Sequence, residues 1–185
     1  MNRNFKFNPA EAADPIYFEQ VFAEKPGGGL LANPDFDVPK SVAVGKNDSG
    51  LYAPIKAYRL VEAAAADATT IKIAKGSGVK EGDVLATGKK GVACTGVDTT
   101  TSDDYDVVTV ALGVAITAGK VLYEAKAASA TAAKPKYTPE YILGTYVPAN
   151  EGDFEVRLIN GANLRKETAN VADEVVELMK SIALV

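Results

Sequence analysis

The sequence predicts a mainly β protein: a small β-barrel or sandwich with an extended N-terminal arm and one C-terminal α-helix. Three observations predict it. First, short runs alternate at period two, as where Tyr58 and Leu60 alternate with Arg59 and Val61, and Ile71 and Ile73 flank Lys72. That period marks half-buried strands. Second, turn residues separate these runs: Asn47-Asp48-Ser49-Gly50, Gly82-Asp83, Gly88 with Gly91, and Asn160-Gly161. Glycine tolerates positive φ, and Asp and Asn bond their own neighbouring backbone. Third, convincing helical spacing occurs in one place, near the C-terminus.

In chain order, residues 1–32 read as the arm. Four of the six Phe residues fall within its first 22 positions: Phe5, Phe7, Phe18 and Phe22. Ile16, Tyr17 and Val21 join them, while Pro9, Pro15 and Pro26 interrupt regular structure and Gly27-Gly28-Gly29 supplies a flexible joint. An aromatic-rich arm docks on something, either a partner chain or its own domain, because disordered tails are poor in aromatics. The expected consequence is that removing residues 1–26 leaves the domain folded.

The β-domain is expected over residues 33–185. Val42 and Val44, the turn at 46–50, and Leu51-Tyr52 make a hairpin, with Pro54 near an edge or bulge. Residues 63–66 are four alanines, too short for an independent helix, so a connection is expected. Val79 to Leu85 turns at Gly82-Asp83 and restarts a strand. Val92 to Thr95, Val107 to Leu112 and Lys120 to Glu124 follow as strands, and the small-residue stretch 125–136 reads as a surface loop. Tyr141 to Val147 and Phe154 to Leu158 are strands, and Asn160-Gly161 is the strongest two-residue hairpin signal in the chain, the alternative being a loop over 160–166. Val171, Ala172, Val175, Leu178, Met179 and Ile182 then fall on one face of a helix over about 170–182, with Thr168 or Asn170 as cap. Val171, Val175, Leu178, Met179 and Ile182 are therefore core or oligomer-interface material.

The chain contains no histidine, which removes the usual general base and the commonest metal ligand. Cys94 stands alone within a strand pattern and reads as a small buried hydrophobe. The four carboxylates between Asp98 and Asp106 lack calcium-loop spacing and read as a solvated loop. Gly76-Ser77-Gly78-Val79-Lys80 opens a strand, unlike a phosphate-binding loop, which opens a helix. With a net charge of −4 and four scattered arginines, no nucleic-acid face is expected. No 18-residue apolar run predicts a membrane span, and residues 1–6 lead into no secretory signal. No enzyme activity, cofactor or metal is expected.

The runs Tyr58-Arg59-Leu60, Ile71-Lys72-Ile73 and Val79-Lys80-Glu81-Gly82-Asp83-Val84-Leu85 resemble the β-domain of bacteriophage head-fibre and capsid-decoration proteins. Val156 to Leu164, a short helix and the final Ile182-Ala183-Leu184-Val185 are similar to the way such proteins close. The resemblance covers roughly residues 42–185. It implies a β-barrel that forms a homotrimer on the outside of the virion capsid, assembled in the bacterial cytoplasm. It also implies an N-terminal segment that meets the major capsid protein, a role that suits Phe5, Phe7, Ile16, Tyr17, Phe18, Val21 and Phe22. The rival readings are a cell-surface, adhesin-like β binding module and a carboxylate-based hydrolase.

Overall fold

The structure is a computed structural model and describes residues 15–185. Phe5 and Phe7 of the expected arm lie outside the described residues. Within them the chain forms β1 (Phe18–Glu24), β2 (Gly29–Leu31), β3 (Ala43–Lys46), β4 (Tyr52–Pro54), β5 (Ala57–Arg59), β6 (Thr70–Ala74), β7 (Val84–Thr87) and β8 (Lys90–Ala93). It continues through β9 (Gly96–Asp98), β10 (Tyr105–Thr109), β11 (Val121–Ala125), β12 (Tyr141–Leu143), β13 (Phe154–Val156), β14 (Leu158–Leu164), α1 (Asp173–Val176) and β15 (Ile182–Leu184). The fold is mainly β, with a curled half-barrel sheet and one short C-terminal helix.

Both ends of the chain build the half-barrel. Its strand order is β1-β14-β12-β3-β4-β2-β13, with β15 also on β14. The segment between β4 and β12 forms a separate lobe of two smaller sheets, β6-β10-β9 and β5-β11-β7-β8. Three apolar cores result. Leu31, Val44, Leu143 and Leu158 fill the half-barrel. Tyr58, Ile73, Leu85, Val108 and Leu122 fill the lobe. Ile142, Ile159, Val175 and Met179 lie in a third core with Val121 and Tyr123 of the lobe. Alternate residues of β11 therefore enter different cores, and all five are buried. A strand covered on both faces loses the in-out pattern of a half-exposed one.

Several expected elements form for the expected reasons. The β3–β4 hairpin pairs Lys46 with Tyr52, and Asn47 Oδ1 accepts the Ser49 and Leu51 N–H groups at 3.0 and 3.1 Å. Gly82 has φ +91°, and Asp83 Oδ2 accepts the Lys80 N–H at 2.9 Å, which closes the turn before β7. Residues 63–66 form a connection, tied down by a bridge between Ala64 and Ile116.

Three expectations are corrected. The arm does not end at residue 32: β1 pairs antiparallel with β14, from Phe18 opposite Leu164 to Glu24 opposite Ile159, and β2 pairs with β13. Phe18 and Val21 pack on the third core. Gly27 and Gly28, at φ +74° and +61°, form a turn between β1 and β2 in which the Gly28 N–H donates to Lys25 O at 3.0 Å. Second, Asn160 and Gly161 lie inside β14. Gly161 serves close approach rather than a turn: a Cβ there would sit 2.7 Å from the Phe22 ring and 2.8 Å from the Ala23 Cβ.

Third, the helix spans Asp173–Val176 instead of about 170–182. The expected caps are engaged elsewhere. Thr168 Oγ1 donates to Ile16 O, Asn170 Nδ2 donates to Lys40 O at 2.9 Å, and Ala172 at the N-cap offers no side-chain bond. An uncapped helix loses about 1 kcal/mol relative to a capped one, and here a parallel pairing of β15 with β14 takes Ile182 to Leu184 out of it. Val171, Val175, Met179 and Ile182 are buried as expected, but Leu178 is 58% exposed. Met179→Ala is therefore expected to cost about 2–5 kcal/mol. Leu178→Ala should stay within about 0.5 kcal/mol of wild type, both read from urea unfolding midpoints.

Candidate partner-binding surface

β1 is the last strand of the half-barrel sheet, so one of its edges is unpaired among the described residues. Its register against β14 shifts at Phe18/Gln20, Val21/Ala23 and Ala23/Glu24. These bulges sort its side chains. Phe18 and Val21 turn toward the core, whereas Phe22 is 57% exposed. Ile16, just before the strand, is 55% exposed. Tyr17 lines a shallow hollow of about 310 Å³ with Pro39, Lys40 and Tyr146. Of the expected arm residues, Ile16, Tyr17 and Phe22 thus lie at the surface. Tyr146 was not among them. Its signal was its alternation with Val147, which is fully buried.

Ion pairs fasten both ends of β1 to the flanks of β14. Arg157 Nε donates to Glu24 Oε2 at 2.7 Å, and Arg165 Nε donates to Glu19 Oε1 at 2.5 Å. The hydrogen bond from Arg157 holds the Glu24 carboxyl below the usual carboxylate range. The backbone is held as well, since Arg165 N–H donates to Tyr17 O at 2.9 Å. Charges and bulges on an edge oppose the addition of another strand. This surface is therefore suited to contact through the Ile16, Tyr17 and Phe22 side chains rather than through backbone pairing.

In a second cleft the charged groups largely pair with one another. This cleft, of about 490 Å³, is lined by Arg59, Lys120, Lys166, Glu167 and Asp173. Lys120 Nζ lies 2.8 Å from Asp173 and 3.2 Å from Glu174, and Lys166 Nζ lies 3.3 Å from Asp173. The hydrogen bond from Lys120 holds the Asp173 carboxyl below its ordinary value. Arg59 donates to the Gly119 and Ala169 carbonyls. The Cys94 thiol donates to Lys80 O at 3.2 Å, and burial pushes its pKa up. It is the small buried residue expected.

Of the four carboxylates expected in a solvated loop, Asp98 ends β9, whereas Asp106 lies within β10, where it is buried and pairs with Lys75 at 2.7 Å. Asp98 accepts from Thr101 Oγ1 at 2.6 Å and from Thr100 N–H and Oγ1 at 2.8 Å each. Those bonds, the one from Thr101 foremost, lower its pKa. A lowered carboxyl stabilises the folded loop above the ordinary Asp value of about 3.9, and the contribution is lost as pH falls through the folded value. NMR titration is expected to place the Asp98 midpoint below that ordinary value, and Thr101→Val to raise it. No group of three or more His, Cys, Asp or Glu side chains among the described residues could hold a metal ion. No described helix is long and apolar enough to cross a membrane. No protein-family model, curated protein or solved structure matches the chain.

Proposed function

We propose that this is a structural, non-enzymatic virion protein that decorates the outside of a bacteriophage capsid as a head fibre or decoration protein. The observation that carries the reading is the aromatic surface at Ile16, Tyr17 and Phe22, set where the described chain leads back into residues 1–14 with Phe5 and Phe7. In this reading residues 1–14 and that surface meet the major capsid protein. The lobe projects outward, and no cofactor, nucleic acid or membrane takes part. Three copies associate as a homotrimer, so that each attachment raises the effective concentration for the next, by up to the millimolar range for short connections. The resemblance of Tyr58 to Leu85 and of Val156 to Val185 to capsid-decoration proteins supports the same reading. Light scattering on a sizing column tests it. Three copies per particle is the expected result, and a monomer at every concentration overturns the multivalent mechanism.

A further inference from the structure

A second group of residues, remote in role from that surface, meets on one face of the four-stranded sheet. Tyr58 pairs with Leu122 across β5 and β11, and the Glu124 N–H donates to Lys56 O at 2.9 Å, the next step of that ladder. Side chains two apart share a face, so Lys56, Tyr58, Leu122 and Glu124 lie on the same side. On the other flank of β11, Glu124 pairs with Leu85, and Asp83 is two residues before Leu85. β11, which carries Glu124, thus runs between β5, which Lys56 immediately precedes, and β7, which Asp83 immediately precedes.

The contacts on this face are those of a reaction as much as of an ion pair. Lys56 Nζ is 2.9 Å from Asp83 Oδ2, with both side chains largely buried. The Phe36 ring lies over the amine, 5.5 Å from Nζ to its centroid. The Tyr58 hydroxyl at 3.2 Å and the Lys80 N–H at 2.9 Å donate to the same carboxylate oxygen. Glu124 is 2% exposed; Oε1 accepts from Lys136 Nζ at 2.7 Å, while Oε2 is buried with no partner. A buried carboxylate oxygen left unpaired is costly, and its lone pairs are unoccupied.

We propose that Lys56 and Asp83 condense after folding into an intramolecular isopeptide bond, with Glu124 as the proton relay. A proton passes from the ammonium to the carboxylate, giving the neutral amine and acid that the attack requires. Nζ attacks Cγ. Tyr58 and the Lys80 N–H stabilise the negative charge that develops on Oδ2, as donors preset at an oxyanion do. Glu124 takes the second amine proton and delivers it to the departing Oδ1 hydroxyl. One Nζ–Cγ bond forms, one Cγ–O bond breaks and one water leaves. No oxidant or co-reactant is required. Two groups held in near-attack geometry reach effective molarities of about 10⁵–10⁸ M, which favours the amide where free amines and acids in water would stay apart. The bond would tie the start of β5 to the turn before β7. The inference stands apart from the virion reading.

Intact mass spectrometry of the full chain, followed by tryptic mapping, tests it. The expected result is a protein one water lighter than its sequence mass, with a branched peptide that joins Lys56 to Asp83 and no cleavage after Lys56. Lys56→Arg keeps a cation beside Asp83 and should restore the full sequence mass. Glu124→Gln, shown to be folded by circular dichroism, should lose water slowly or not at all. Wild-type protein at the full sequence mass overturns the proposal, whatever the variants do. So does a lost water with Lys56 still open to trypsin, because that outcome places the dehydration within Asp83 or another residue. Water loss by the Glu124 variant at the wild-type rate overturns the role given to Glu124.

Discussion

Deleting residues 1–26 is expected to destabilise the protein by about 3–5 kcal/mol, contrary to what the arm-like composition of that stretch suggests. The deletion removes β1 from the sheet and takes Phe18 and Val21 off the third core. It also bares the side of β14 from Ile159 to Leu164 and leaves Arg157 and Arg165 without Glu24 and Glu19. Those two pairs are exposed at the surface and add little; the loss lies in apolar burial and strand pairing. Deleting residues 1–14 alone keeps every described element, so it should cost less than the longer deletion, while the proposed capsid attachment is lost. Denaturant unfolding of the two truncations separates fold from function. Equal stability of the two would show that β1 contributes nothing to the sheet.

Leu122→Ala is the second large effect. Leu122 is fully buried, and its neighbours Val121 and Tyr123 enter a different core. The strand that carries it is covered on both faces and pairs with β5 and β7. A cavity there cannot be filled by a surface movement, which puts the cost in the range of about 2–5 kcal/mol. Because β11 links the lobe to the third core, unfolding should remain a single transition at a lower urea midpoint. A shift of under about 0.5 kcal/mol would mean that the lobe core is loosely packed around β11.

These two positions also show how far the residues foretell the fold. Period-two runs mark β5 and β6, β-branched composition marks β10, and the turn chemistry of Asn47 and of Gly82-Asp83 marks two chain reversals. Such signals are local: each depends on residues within one turn or strand. The fold departs from these signals where distant partners decide. Phe18 and Val21 pack against the third core only because β14, more than a hundred positions later, lies beside them. Gly161 resembles a turn glycine until the Phe22 ring is placed across it. The stripe from Val171 to Ile182 is apolar enough for a helix, but Ile182 gains a strand partner in β14, and Thr168 and Asn170 spend their side chains on Ile16 and Lys40.

The surface at Ile16 and Phe22 was legible as a concentration of large apolar residues. Which of them point outward is set by the bulges of β1, and these have no signature in composition. The burial of Glu124 was not legible either. Lys120 to Glu124 reads only as a short strand, and the two covering cores are what bury Glu124.

The most direct test of the proposed virion role is immunogold labelling of intact particles released by a host that expresses this chain, with an antibody to residues 57–125. Gold is expected on the outside of full heads, at many sites per head, with none on tails or on the bacterial envelope. Purified particles without label, and label on the cell surface instead, would contradict it and make the chain an envelope-borne binding module.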